Sequence, residues 1–592
     1  MDRGKKFSAG LTGADFAAGL AHHRAGRALE AISCYAMSLA ASPDHPRILG
    51  LLGQAEIAAG EIAAGLRDLE RAMELAPGHD ETCFAYANGC AQAGRHDDAI
   101  KQYRALLARM PAHLGAALNL IALLRSRNEP AAMRDTALHA LAHHIEQPRL
   151  LLALAVAALQ ERDAGSALPL LDRALHHEPE LAEAHFLRGT ALNMVGRAAE
   201  ALDAQCCAIA LDPGHAAAHL NLGNVLTDLD RPQEALEYCR QALAIDPDLI
   251  EAHVSLGYIF TRLGRLDDAI AACRQALARS PRHVQAHWNL GIASLLAGDW
   301  SEGWRQYEWR KRPELYAAHF RIPRGEEWNG GDLAGRCLTV CAEQGLGDAI
   351  QLARYLPLLA SRGAHLILSC ARPLIPLFAD LPHLCAVLDR ADALPDADLW
   401  VDQMSLPGIF GTVPTNIPGA AGYISADPKR VAHWRGLLPQ DFKVGLVWCG
   451  NPLHSNDRRR SLAPGDLEEL LNISGVSLIS LQLGPPLPMG WEGRVFNAAA
   501  QLLDFAETAA CIANLDLLIT VDTSAAHLAG AMGKCVWTML PFAPDWRWLT
   551  KRTDTPWYDS MRLFRQSVDG DWKSVVHEIA GRLRSLLAQP RD

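Results

Sequence analysis

Residues 519–537 read ITVDTSAAHLAGAMGKCVW and concentrate several chemically capable side chains in a short stretch. An apolar run stops at Asp522 and Thr523, Ser524 stands at the cap of a predicted helix, and His527 falls in its first turn. Unpaired backbone N–H groups and the positive end of the helix dipole attract an anion at such a start, so a phosphate is the expected ligand. The structural alternative makes Asp522 and Thr523 caps and His527 a core contact. A second candidate is AEQGLGDAIQLARYLPLL, residues 342–359, where Gly345 and Gly347 permit a tight turn and Asp348 opens a helix. An aspartate there suits helix capping in its own right. The third is VWCGNPLHSNDRRRS, residues 447–461, in which a strand enters a polar loop carrying Arg458, Arg459 and Arg460. Paired guanidinium donors suit a diphosphate, although loop arginines are also commonly just solvated.

Strand ends must position these motifs. Apolar runs at 337–342, 365–370, 385–389, 398–402, 443–450, 476–483, 515–523 and 535–540 alternate with helical stretches, which predicts parallel sheets covered on both faces. Ligands bind outside the carboxyl ends of strands in such sheets. A polar, Pro/Gly-rich stretch at 407–422 and a short helix at 430–438 divide this half into two Rossmann-like lobes, residues 336–438 and 439–592, behind a linker at 318–335.

The first half has a different period. Prolines recur every 34 residues at Pro43, Pro77, Pro111, Pro179, Pro213, Pro247 and Pro281, with Ile145 at the missing place. Small residues keep the same register at Gly53, Ala87, Gly189, Gly223 and Gly257, and again at Ala99, Ala201, Ala235 and Ala269. Each unit is therefore two closely packed helices ended by a proline, and the pattern resembles the tetratricopeptide (TPR) repeat. About nine units fit residues 12–317, the fourth degenerate, and stacked units share one core as an α-solenoid whose concave face is expected to bind protein. The ninth carries Trp304, Tyr307, Trp309 and Arg310 in place of small residues, as expected of a plug against the next domain or, secondarily, of an acceptor-binding surface.

Composition narrows the function classes. The chain of 592 residues is too long for one core. Its net charge of −11, with mixed signs, offers no basic footprint for nucleic acid. The apolar run at 150–159 is half a membrane span and the N-terminal residues lack a hydrophobic signal core, so a cytoplasmic protein is expected. Fourteen cysteines form no Cys-x-x-Cys pair and read as structural thiols. His185, His219, His253 and His287 are one repeat apart, too far for a shared ion, and no metal or other cofactor is expected. Asp396 and Asp398 spell a DxD string, which we discount because Asp398 opens an apolar strand.

Two further resemblances bear on function. Asn119, Asn221 and Asn289 share the sixth place of their units, similar to asparagines in the TPR region of protein O-GlcNAc transferases; the resemblance implies a ladder that clasps an extended acceptor polypeptide. Leu187 and Ser255 break that series, and the alternative is ordinary solvated asparagines. From about residue 337 to 587 the chain resembles the heptosyltransferase-like glycosyltransferases of GT-B fold, through Asp522, Thr523, Ser524, His527, Leu528, Ala529, Ala531 and Gly533 and, less specifically, Gly347 and Asp348. That resemblance implies Asp348 as base toward an acceptor hydroxyl, inversion at the anomeric carbon, and a second lobe that holds the nucleotide diphosphate without metal. Arg458, Arg459, Arg460, Ser524 and His527 are then the candidates for stabilising the leaving diphosphate. MLPFAPDWRW, residues 539–548, departs from the family's Phe-Gly-Pro-Thr stretch, so a heptose donor does not follow. Asp545 and Arg547 there become candidates for donor recognition, while Trp546 and Trp548 either stack on a base or fill a core.

Together these readings give a TPR array that recruits a protein, fused to a two-lobed transferase moving a sugar from a nucleotide-sugar to a hydroxyl on it. The alternatives are a cell-surface glycan or lipid transferase docked through its repeats, and a scaffold whose GT-B domain has decayed.

Overall fold

The computed structural model describes residues 13–315, 324–419, 422–454 and 456–589. The helices from Ala14–Arg24 to Trp300–Tyr307 form nine consecutive pairs. Histidines stabilise them in two ways that recur with the repeat. Ring nitrogens of His185, His219 and His287 meet the carbonyls of Pro179, Pro213 and Pro281, six residues earlier, at 2.8, 3.1 and 2.9 Å. His79, His113, His215 and His283 instead cap the first helix of their units by accepting from the backbone N–H three residues on. The repeat-spaced Cys239 and Cys273 are buried and pack as small hydrophobes, whereas Cys206, Cys207, Cys385 and Cys535 are exposed: a Cβ on Gly223 would sit 2.7 Å from Cys239 Sγ, so the sulfur fills the space that glycine leaves. Burial pushes the Cys239 thiol up to about 12. In the degenerate fourth unit, Ile121 and Met133 are buried at the small-residue places, Ile145 is exposed, and the second helix, Pro130–Leu141, is shorter than the 14-residue second helices on either side.

The chain divides into two compact units, one ending at Asp246 and the other starting at Pro247. The last two helix pairs thus cluster with the α/β half. That half holds a five-stranded sheet in the order β1-β5-β2-β3-β4 and a six-stranded sheet in the order β11-β10-β9-β6-β7-β8, with every pairing parallel. The first comprises β1 (Glu326–Glu327), β2 (Cys337–Cys341), β3 (His365–Cys370), β4 (Leu384–Asp389) and β5 (Leu399–Asp402). The second comprises β6 (Phe442–Val447), β7 (Val476–Ser480), β8 (Val495–Asn497), β9 (Leu517–Val521), β10 (Val536–Leu540) and β11 (Met561–Arg565). In each the chain winds outward on one side and returns on the other, which puts a topological switch point between β2 and β5 and between β6 and β9.

The expected linker needs correction. Residues 316–323 lie outside the described ones, but β1 pairs with β5, the Trp328 N–H donates to the Trp400 carbonyl (2.7 Å), and Trp328 and Leu333 are buried. Within the expected linker, Glu326–Glu327 is therefore the edge strand of the first sheet.

One contiguous core runs from Leu295 through both sheets. The plug expected of the ninth repeat lies within it. Trp304 packs edge-on to Trp546 (5.1 Å between ring centres), Trp300 stacks on Trp557 (5.3 Å), and Trp304 Nε1 donates to the Thr412 carbonyl (2.8 Å). Trp309 stands apart, stacked on His287. Arg310 is buried and donates to Glu343 (3.1 Å) and Ser405 (2.8 Å), with Asp402 at 4.0 Å.

Candidate functional site

Both signature motifs sit at switch points and touch each other. β2 leads into the helix Leu346–Leu352, whose cap is Gly345; Asp348 Oδ2 accepts the Gly345 N–H (2.8 Å). β9 leads into the helix Ser524–Ala531. The cap is Thr523 rather than Ser524, and it makes no side-chain cap bond; its hydroxyl lies 3.2 Å from that of Thr520. Between the two helices Gly347 meets His527: a Cβ on Gly347 would fall 2.7 Å from His527 Cδ2 and 3.5 Å from Ser524 Cα. No residue but glycine allows that approach.

His527 is buried among Tyr558, whose hydroxyl shares a 3.0 Å hydrogen bond with Nδ1, Trp548, stacked at 5.3 Å, and Asp522, 3.9 Å from Nε2. Burial first, then the guanidiniums of Arg547, Arg354 and Arg460, hold its pKa well below the usual imidazole value. A neutral ring can still offer an N–H, but it brings no positive charge to a diphosphate. Burial, reinforced by Asp545, raises Asp522 to about 6.

The arginine loop divides. Arg458 is exposed, Arg459 donates to Asn456 (3.3 Å), and Arg460 bridges the second switch point by donating to the Asp522 carbonyl (3.1 Å) while Asp457 supports its Nε (3.3 Å). The second guanidinium at the site is Arg547. Its Nε donates to Gln351 Oε1 (2.6 Å), Nη1 to Asp545 Oδ1 (2.7 Å), and Nη2 to Asp348 Oδ1. Burial opposes its charge, yet Asp348 and Asp545 keep its pKa above the ordinary arginine value.

Trp546 and Trp548 fill the core, with 2% and no exposure respectively, which leaves neither free to stack on a base. The turn that carries them ends at Leu549, whose φ of 54° and ψ of −170° lie in a region otherwise reserved for glycine. Arg565 fixes this strain by donating to the carbonyls of Trp548, Leu549 and Arg552. Sequence reasoning missed Gln351, Tyr558, Arg565 and Arg354. The last, buried, ties the Leu346–Leu352 region to the Trp557 carbonyl (2.9 Å) and the Tyr423 hydroxyl (3.2 Å).

The three asparagines have their amide N–H groups engaged within the repeats. Asn119 donates to Asn88 (2.8 Å), Asn221 to Thr190 (3.0 Å), and buried Asn289 donates to the Val254 carbonyl (3.1 Å) while accepting from Gln285 (2.9 Å). Of the DxD aspartates, Asp398 is structural, accepting the Cys337 N–H (2.8 Å), while exposed Asp396 lies 3.8 Å from Arg324. Among the described residues no group of three or more His, Cys, Asp or Glu is placed to hold a metal ion, and no helix is long and apolar enough to cross a membrane.

Comparison with known proteins accounts for the repeats. One tetratricopeptide-repeat family model matches residues 216–249, and a second, also described as a tetratricopeptide repeat, matches 16–80, 152–206 and 252–304. The chain therefore carries TPR repeats through roughly its first three hundred residues. Protein FlbA of Caulobacter vibrioides is 32% identical over 330 residues, covering 50% of this chain and 54% of that protein. The chain thus spans about half the length of this curated relative. Among solved structures, MamA from Desulfovibrio magneticus RS-1 is 20% identical with a TM-score of 0.26, covering 28% of this chain and 93% of that one. A tetratricopeptide repeat protein from Parabacteroides merdae is 14% identical with a TM-score of 0.34, covering 42% and 97%.

Proposed function

We propose that the α/β half is a GT-B glycosyltransferase that moves a sugar from a nucleotide-sugar to a hydroxyl on a protein recruited by the TPR repeats. The observation that carries this reading is the meeting of two switch points. The Gly347–Asp348 turn of one sheet and the Asp522–His527 segment of the other abut at one place, with Arg460 and Arg547 beside them. In this reading Asp348 takes the proton of the acceptor hydroxyl as its oxygen attacks the anomeric carbon, and the nucleoside diphosphate leaves toward the Ser524 helix. Arg460, Arg547 and the free N–H groups at that helix start compensate its charge, while the neutral imidazole of His527 contributes at most a hydrogen bond. No metal is assigned a part.

One observation favours the scaffold alternative: Asp348 is held by a guanidinium, a poor arrangement for a base. The deciding experiment follows nucleotide release by the purified protein over UDP-, GDP-, ADP-, CMP- and dTDP-sugars, with host lysate as acceptor. Lysate-stimulated release from one donor that is lost in Asp348→Asn supports the transferase. No release from any donor supports the scaffold.

A further inference from the structure

We propose that Arg547 is an exchange residue: it holds Asp348 in the resting site, and the diphosphate of the donor takes the guanidinium over and releases the carboxylate. The inference rests on the glycosyl-transfer reading and concerns how the same site is regulated.

The charges require an exchange of partners. Asp348, Asp545, Asp522 and Asp457 face Arg547 and Arg460, with Arg354 the third guanidinium close enough to act on His527, which is neutral. A diphosphate entering that group meets excess negative charge unless a carboxylate gives way. Asp348 is the member able to do so. Its side chain keeps 21% of its exposure, and Oδ2 remains anchored by the Gly345 N–H, so releasing Oδ1 does not dismantle the helix start.

The guanidinium, in contrast, is fixed in place. Only 7% of its side chain is exposed, Gln351 orients Nε, and it lies 4.2 Å from the centre of the Trp546 ring, itself wedged among Trp300, Trp304 and Tyr307. Strain at Leu549, fixed by Arg565, closes the other end of the turn. A fixed guanidinium that exchanges a carboxylate for a phosphate oxygen at Nη2 keeps its bonds to Gln351 and Asp545 and gains a more highly charged partner. Donor occupancy would then be the signal that frees the base, so an empty site could not deprotonate an acceptor.

The test titrates inorganic pyrophosphate, without divalent cation, into the full chain by calorimetry. Removing the competing carboxylate in Asp348→Asn or Asp348→Ala should tighten binding by up to about fivefold, the effect of losing one partly exposed ion pair. Arg547→Gln should weaken it by about tenfold or more, and Arg547→Lys, which keeps charge but not the fork, should recover only part. The asparagine variant retains the cap to Gly345, and tryptophan fluorescence melting verifies that each variant is folded. If Arg547→Gln does not fold, the two Asp348 variants decide alone. Unchanged or weaker binding in both overturns the proposal, as does absence of pyrophosphate binding from wild type and both variants. Failure of the glycosyltransferase reading shows differently: tightening in the Asp348 variants without turnover of any donor leaves an anion-exchange site and removes the transferase. Turnover without tightening leaves the transferase and removes the exchange.

Discussion

Arg310→Met is expected to unseat the joint between the ninth repeat and the first sheet. The arginine is 4% exposed, and Glu343 and Asp402, which share it, are 2% and 1% exposed. Methionine replaces the aliphatic stem and leaves buried carboxylates without their cation, a change that costs about 3–5 kcal/mol. Burial raises Glu343 to about 7 even against the pull of Arg310, and without the guanidinium it rises further. A carboxyl raised in the fold contributes stability that is fully present below its unfolded pKa and is lost as pH rises through the folded value. The variant's deficit from Glu343 should therefore be small at pH 5 and open only above pH 7, reaching about 1.4 kcal/mol at pH 8 and the full cost only above the variant's own folded value. With roughly 350 residues melting together, each kcal/mol moves Tm by about 1.4 °C, so the expected fall at pH 8 is about 2 °C. All 14 tryptophans lie at or beyond Trp288, so their fluorescence reads the unit starting at Pro247 and not the one before it. A fall under about 1 °C at pH 8, or equal falls at pH 5 and pH 8, would refute the reasoning.

Three further outcomes are expected. Gly347→Ala drives a methyl into His527 and should cost about 1–3 kcal/mol in the same melting experiment, together with loss of donor turnover; a neutral result would mean the two helices do not meet as described. His527 is held neutral, so the stability it contributes is present above about pH 6.5 and falls as the unfolded chain takes up a proton below that. His527→Gln should therefore flatten the drop in Tm between pH 7 and pH 5.5, and an unchanged pH profile would contradict the assignment. In the repeats, Gly223→Ala should destabilise by about 1–3 kcal/mol through the clash with Cys239, and adding Cys239→Ala should restore most of the loss, read by hydrogen exchange across residues 216–245; independent, additive effects would argue against the contact.

The repeats were legible because proline and small residues return every 34 positions and each return has a packing reason. Eight strands were legible as apolar runs. β1 and β8, with two and three residues, are too short to show a pattern, and β11, MRLFR, interrupts its apolar run with arginine. The two strand-end motifs stood out by composition, but their contact did not, since Asp348 and Arg547 lie 199 residues apart and only the folded sheets bring them together. The single burial of Trp546 likewise depends on three aromatics of the ninth repeat. The proline–histidine bonds could have been read: a histidine six residues after the repeat proline recurs in successive units and marks a structural tie rather than a ligand.

The most direct test of the central claim is transfer itself. The donor that supports nucleotide release would be supplied with a labelled sugar, the full chain incubated with host lysate, and the label followed onto protein by gel and peptide mass spectrometry, with Asp348→Asn alongside. The account predicts label on serine or threonine of a discrete protein, absent from the Asp348→Asn reaction. Label appearing only on glycan or lipid, or undiminished in Asp348→Asn, would contradict it.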